Sequence, residues 1–156
     1  MLTLYRPALK DMWFRRQMLE DEETMSYNRA WGGTIAFPEE NWDEWYGYWV
    51  EDPKDERYYR YLRNEERDFV GEIAYHLDAG SGCWMANVIV YSRFRRRGYG
   101  GEALDMLCAE AGANGVKVLW DDIAADNPAV GMFLKHGFVE DHRTEQQIFL
   151  KKELNL

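Results

Sequence analysis

Cysteine is scarce in this sequence, an excess of basic charge and long apolar runs are missing from it, and each lack closes a class of function. Cys83 and Cys108 are the only cysteines in 156 residues. No CxxC or HExxH stretch occurs, and His76, His136 and His142 show no ligand spacing. That argues against a zinc site or a disulfide scaffold, and for no metal and two buried free thiols. Lys and Arg total 19 against 28 Asp and Glu, a formal net charge of −9. Nucleic-acid phosphates demand a basic face, so no nucleic-acid partner is expected; the acidity suits cationic or amine-bearing substrates. No apolar run approaches the ~18 residues of a membrane span. The first residues, MLTLYRPALKDMWFRR, lack a signal peptide's apolar block and cleavage site. The expectation is a cytoplasmic protein with no membrane partner.

What is present describes a folded chain. Hydrophobic residues make up 46% and aromatics 15%, too many for a solvated chain. The length fits one domain over residues 1–156. No repeat, Pro-rich tract or Ser/Gly linker divides it. Leu9, Met12, Trp13, Arg16 and Leu19 stand at helical spacing and predict a first helix over 8–20. Pro38-Glu39-Glu40-Asn41 opens a second, with Trp42, Trp45, Tyr46 and Trp49 at i, i+3, i+4 and i+7. From residue 57 the pattern turns strand-like. Tyr58–Leu62, Phe69–Tyr75 and Trp84–Tyr91 read as strands linked by hairpin turns. A helix over 102–111, a strand over 117–120, a helix over 128–135 and closing strands at Phe138 and Ile148–Leu150 complete the order. This is a mixed α/β or α+β sheet protein.

The most informative segment follows the third strand. Arg93, Arg95, Arg96 and Arg97 crowd four arginines into five residues of an otherwise acidic chain, and Gly98-Tyr99-Gly100-Gly101 then leads into a helix. Glycines let successive amides turn toward one point, and the helix N-terminus adds free donors and a positive dipole end. That combination binds phosphate. Gly98-x-Gly100-x-x-Ala103 also satisfies a dinucleotide-binding fingerprint, with Asp121 about 20 residues on, where a ribose-binding acid belongs. That fingerprint needs its first glycine at the strand end, whereas seven residues separate Val90 from Gly98.

A second pattern matches over a longer span. Arg95-x-x-Gly98-x-Gly100 after a strand resembles the pyrophosphate loop of the GNAT superfamily of acetyl-CoA-dependent N-acetyltransferases. Asn127-Pro128-Ala129, followed by Phe133-Leu134-Lys135-His136-Gly137-Phe138, resembles that family's second motif. Motif-level resemblance covers roughly residues 83–140; element order covers nearly the whole chain. It implies a GNAT-like, mostly antiparallel central sheet with splayed middle strands, flanked by about four helices. It also implies acetyl-CoA as cosubstrate. Main-chain groups of Asn87, Val88, Ile89 and Val90 would pair with the pantetheine arm, and those of Arg96, Arg97, Gly98, Tyr99, Gly100 and Gly101, beside Arg95, would hold the pyrophosphate. Asn127 would contact the cofactor, and an N–H near Val88 would polarise the thioester carbonyl. Phe133 departs from the family, which often has a tyrosine there as general acid for the leaving thiolate. Either another group does that work, or the thiolate leaves unassisted, or the chain is a non-catalytic CoA or acetyl-CoA-binding module.

An amine must lose its ammonium proton before attack, so a carboxylate near the thioester, acting directly or through water, would help remove it. Glu72 is the first candidate base, because its apolar neighbours Val70, Ile73 and Ala74 predict burial. Asp122 is the second; strand alternation lets only one of Asp121 and Asp122 face the cleft. Trp31, Trp42, Trp45, Tyr46 and Trp49 offer an aromatic wall for a cation, and Glu20 to Glu23 a negative patch. The expected reaction is acetyl transfer from acetyl-CoA to a primary amine of a small molecule, a polyamine or a peptide, by direct attack in a ternary complex. A homodimer is expected from the family's habit.

Overall fold

Hairpin-linked strands rich in tyrosine and β-branched residues build the middle of the molecule, whose computed structural model describes residues 1–154. Strands β2 (Arg57–Arg63), β3 (Phe69–Leu77) and β4 (Trp84–Val90) form an antiparallel meander, and β1 (Thr3–Tyr5) lines its outer edge. β5 (Val118–Ala124) then runs parallel to β4, with β7 (Gln147–Glu153) antiparallel to β5 and β6 (Val139–Arg143) outermost. The result is one seven-stranded sheet in the order β1-β2-β3-β4-β5-β7-β6. Gly71 permits the close approach of β3 to β4, since a Cβ there would lie 2.3 Å from the carbonyl oxygen of Ile89.

Four α-helices flank the sheet: α1 (Met12–Leu19), α2 (Trp42–Tyr46), α3 (Tyr99–Ala113) and α4 (Val130–Lys135). A 3₁₀ segment, Thr24–Trp31, and a π turn, Gly47–Glu51, extend the first pair. The α+β class and the splayed sheet expected from the sequence are both present. Strand alternation sorts the side chains into two cores. Tyr58, Leu62, Ile73, Ala86, Leu119 and Ile123 pack under α3 and α4; Tyr59, Tyr61, Ala74 and Ile89 pack under α1, α2 and the 3₁₀ segment.

Some boundaries differ, for physical reasons. α1 buries Met12, Phe14, Met18 and Leu19, while Leu9 and Trp13 are exposed, so its inner face lies at a different angle from the expected one. β5 continues through Asp121 and Asp122, whose polarity hides the strand because its partner on one side has moved away. α3 begins at Tyr99 with two glycines in its first turn. Cys108 is buried, whereas Cys83 is only partly covered, so the expectation of two buried thiols holds for one of them.

Candidate active site at the fork between two strands

β4 and β5 pair only at Trp84–Leu119 and Met85–Trp120. Beyond Met85 and Trp120 the two strands separate into a fork. Its open end faces the loop between β4 and α3. A cleft of about 1560 Å³ runs from this loop through the fork to the 3₁₀ segment and α1.

The main chain of β4 decides what the fork presents. Tyr91 donates its N–H to the Val70 carbonyl, so alternate residues Ile89 and Asn87 direct their main-chain groups to β3 as well. Val88 and Val90 therefore turn theirs into the fork. Ile89, expected to share that role, spends its polar groups on β3 and buries its side chain in the core under α1.

At the open end, Ser92–Phe94 form a short 3₁₀ turn. Arg96 and Gly98 then adopt left-handed backbone, with φ +66° and +78°. Among the described residues, no main-chain or side-chain group accepts from the amides of Arg96 to Gly101. Gly100 and Gly101 let the first turn of α3 approach α4: a Cβ at Gly100 would lie 3.0 Å from Met132 Sδ, and one at Gly101 2.6 Å from His136 Nε2. The arginines themselves differ in role. Arg95 donates to the carbonyls of Glu23 and Thr24 at 3.0 and 2.7 Å, clamping the loop to the 3₁₀ segment, and Arg97 lies over the Phe94 ring at 5.4 Å. Asp21 strengthens this tie by accepting from the hydroxyls of Thr24 and Ser92, while Thr24 Oγ1 accepts from Ser92 N at 3.0 Å. These hydrogen bonds hold the Asp21 carboxyl below its ordinary pKa. Asn127 lines the cleft, and its Oδ1 accepts the Ala129 N–H at 2.9 Å, ordering the turn into α4.

Glu72, the first candidate base, is 1% exposed, as its neighbours implied. Its carboxylate accepts from three donors: Arg15 Nη1 at 2.7 Å, Asn87 Nδ2 at 2.9 Å and the Tyr59 hydroxyl. Burial pulls the Arg15 guanidinium down, but the Glu72 and Tyr59 charges and hydrogen bonds outweigh it, and its net shift is upward. Burial, reinforced by Glu72, drives the Tyr59 phenol well above its ordinary range. Sequence reasoning did not find Arg15, although its position three residues after Met12 and four before Leu19 places it on the buried stripe of α1.

Arg15 also answers the question of the aromatic wall. Its guanidinium lies 4.2 Å over Trp45 and 5.3 Å from the Phe37 centroid, and Trp45 stacks on Trp49. The wall thus carries a cation of the protein's own. Trp31 lines the cleft, while Tyr46 is buried and donates to the Pro7 carbonyl. Glu20 to Glu23 lie outside the cleft lining; Glu20 pairs with Arg16 and Asp21 belongs to the loop clamp.

Asp121 and Asp122 both reach the cleft, contrary to the expectation that alternation admits only one. Alternation still turns them to opposite faces, but the departure of β4 opens the strand from either side. Asp122 faces the α1 layer and accepts from Gln147 Nε2 at 3.2 Å. Asp121 shares the α3/α4 face with Leu119 and Ile123, and burial, aided by the Asp122 charge, pushes its carboxyl well above the usual range. Tyr27 also lines the cleft, 36% exposed, its phenol pushed up by partial loss of solvent within the cleft and by the Glu72 and Asp121 charges. Phe133 is buried edge-to-face against Phe138, with ring centroids 5.0 Å apart. Among the described residues, no cluster of three or more His, Cys, Asp or Glu could hold a metal, and no helix is long and apolar enough to cross a membrane.

A forked sheet, unpaired strand groups within it and free loop amides at its mouth form a cleft suited to an extended, phosphate-bearing ligand. The sequence pattern of the acetyltransferase (GNAT) family matches residues 15–138, and the chain belongs to that family. No curated protein matches it significantly. Among solved structures, it is similar to the spermidine N-acetyltransferase from Vibrio cholerae in complex with CoA and spermine, with 15% identity and TM-score 0.81 over 98% of this chain and 95% of that one. It is also similar to a protein assigned as a phosphinothricin N-acetyltransferase, with 19% identity and TM-score 0.71 over the whole of both chains. A GNAT-family acetyltransferase from Bacillus anthracis aligns at 15% identity and TM-score 0.76, over 98% of this chain and 95% of that one. At these identities the likeness is one of fold.

Proposed function

We propose that this chain transfers acetyl from acetyl-CoA to the primary amine of a small molecule or peptide, by direct attack in a ternary complex. The observation that carries the reading is the fork between β4 and β5, lined by the main chain of Val88 and Val90 and headed by the free amides of Arg96 to Gly101. The residues fit acetyl-CoA: the loop amides suit its pyrophosphate, the β4 edge its amide-bearing arm, and the Val88 N–H the thioester oxygen. Asn127 lies beside that arm at the start of the turn into α4.

The acceptor enters from the side of α1 and the 3₁₀ segment, where Trp31, Trp45 and Trp49 line the cleft. Asp122 faces this side and takes the amine's proton, directly or through water. Glu72, with three donors already on it, contributes by fixing Arg15, Tyr59 and Asn87 at the back of the acceptor cavity. Because Arg15 neutralises Glu72, this end of the cleft is less anionic than the composition suggests. That favours a compact amine over a long polycation, although the Vibrio cholerae relative was solved with spermine. A cytoplasmic homodimer completes the reading.

Titration calorimetry with acetyl-CoA on wild type and on Gly100→Trp, followed by a free-thiol release assay over an amine panel, tests it. Micromolar binding that the variant loses while keeping its near-UV circular dichroism, with multiple turnovers on at least one amine, is the expected result. Absence of acetyl-CoA binding by folded wild type refutes the reading. Phe133, which has no proton to give, favours a second reading as a CoA-binding module; tight binding without turnover on any amine would establish that instead.

A further inference from the structure

The acceptor end of the cleft holds a positive charge whose hydrogen-bonding capacity the protein only partly uses. We propose that the acceptor is a zwitterion, a primary amine that carries its own carboxylate and an apolar side group, as an α-amino acid does, and that the free side of the Arg15 guanidinium binds that carboxylate. This names a substrate class for the acetyl-transfer reading above and rests on it.

A guanidinium presents five N–H donors on a planar fork. Arg15 Nη1 donates to Glu72 Oε1 at 2.7 Å, and Nε is buried with no acceptor. Among the described residues Nη2 has no acceptor either, yet it keeps access to the cleft that Arg15 lines. Nε and Nη2 aim their N–H bonds in parallel along one side of the fork, the geometry that suits the two oxygens of a carboxylate. The rest of the group is already fixed. Trp45 lies 4.2 Å from its central carbon and Phe37 5.3 Å, while Glu72 holds the opposite corner. An anion on the free side therefore meets a guanidinium that needs no further ordering.

The site adjoins the reacting centre. Glu72 carries Arg15 on Oε1 and Asn87 Nδ2 on Oε2, the latter at 2.9 Å, so one carboxylate bridges the guanidinium to the residue that precedes Val88. An anion on Arg15 and an amine poised at a thioester held by the Val88 N–H are neighbours across Glu72. A short carbon link between carboxylate and amine spans that separation.

Charge and surface on this side agree. Arg29, on the 3₁₀ wall, lines the same cleft and has no ion pair among the described residues. Glu72 is neutralised by Arg15, with Tyr59 and Asn87 also donating to it, so its repulsion of a second carboxylate is blunted. Asp78 lies six residues along β3 and its turn from Glu72, roughly 20 Å away, and Asp122 stands on β5, where it faces the amine. A polyamine would bring several cations and no anion against Arg15 and Arg29. The apolar group has its own place: Leu19, Met25, Trp31 and Ile35 line this end, with Trp31 and Ile35 left 55% and 47% exposed.

The test uses acceptors of one shape and different charge: L-phenylalanine, L-phenylalaninamide and phenethylamine, with the matching leucine set. Rates of thiol release are compared per neutral amine for wild type, Arg15→Lys and Arg29→Gln. Wild type should favour at least one amino acid over its uncharged partners by about tenfold or more in kcat/KM, the worth of a hydrogen bond to a charged group. Lysine keeps a cation for Glu72 but has no fork, so the preference ratio should collapse toward one in Arg15→Lys, whatever its absolute rates. Should that variant not fold, calorimetry of N-acetyl-L-phenylalanine against its amide on CoA-bound wild type reads the same preference without turnover. Equal kcat/KM for charged and uncharged acceptors, or turnover confined to other amines, overturns the zwitterion and leaves acetyl transfer standing. A preference lost in Arg29→Gln but kept in Arg15→Lys moves the carboxylate to Arg29 and overturns the assignment to Arg15. Wild type without turnover on any amine overturns the transfer reading; equal affinities for N-acetyl-L-phenylalanine and its amide then overturn the carboxylate site as well.

Discussion

Replacing Glu72 by alanine strands a guanidinium. Glu72 is 1% exposed and is, among the described residues, the one counterion of Arg15, whose side chain is 16% exposed and sits against Trp45 and Phe37. Removing one partner of such a pair costs about 3–5 kcal/mol, because the remaining charge keeps its desolvation penalty and loses its compensation. For a chain of this length a change of 1 kcal/mol moves Tm by about 2–4 °C, so the melting point should fall by roughly 6–20 °C. The diagnostic experiment is a cycle built from Arg15→Met and Glu72→Gln, followed by urea denaturation. The glutamine still accepts from Tyr59, so the cycle isolates the charge pair from the hydrogen bond beside it. The double variant should be more stable than the sum of the single losses by at least about 1.5 kcal/mol, within the range of directly contacting residues. A Glu72→Ala loss below about 1 kcal/mol, or strictly additive single variants, would refute the description of this pair as a buried, mutually dependent unit.

Two further outcomes can be read in stability. Asp121 has a raised carboxyl pKa in the folded protein, so the native state binds its proton more tightly than the unfolded chain does; its contribution is favourable at low pH and is lost as pH rises from the unfolded value of about 3.9 through the folded one. Asp121→Asn should therefore be more stable than wild type at pH 8 by more than at pH 4, and melts showing an equal difference at both would contradict this. Gly101→Ala places a methyl 2.6 Å from the His136 ring, which Asp105 holds at 2.9 Å; overpacking of this kind costs about 1–3 kcal/mol and, by pushing α4 from α3, should also weaken acetyl-CoA binding in calorimetry. Unchanged melting and binding in that variant would mean the ring yields freely.

The parts of this protein visible in its sequence are those governed by neighbours along the chain. Alternation and turns marked β2, β3 and β4, and the Arg-Gly run between β4 and α3 marked the loop. Glu72 was legible as buried because Val70, Ile73 and Ala74 surround it in sequence. Its function was not, because the donors that saturate it come from α1, β2 and β4, and their convergence is a product of sheet register. The Trp45–Trp49 stripe was likewise visible, but Arg15, which occupies it, lies on another helix. β1 went unread because three residues are too few to show a period. Asp121 and Asp122 read as the end of a strand rather than its middle; the pattern that defines a covered strand disappears where a sheet divides.

The clamp of Asp21, Thr24, Ser92 and Arg95 joins two regions that would otherwise be separate loops. One is the loop at the mouth of the fork, which the proposed function gives to phosphate; the other, Thr24–Trp31, lines the same cleft on the side proposed for the acceptor. Tied at this point, the two would share a single entropy cost: on the acetyl-transfer reading, a ligand that stills the mouth would also still the wall before the second molecule arrives. Such a benefit would be mutual, each substrate strengthening the other's hold by the same factor. Order of addition then becomes a matter of access rather than of affinity, and severing the clamp would leave two competent half-sites that no longer inform one another.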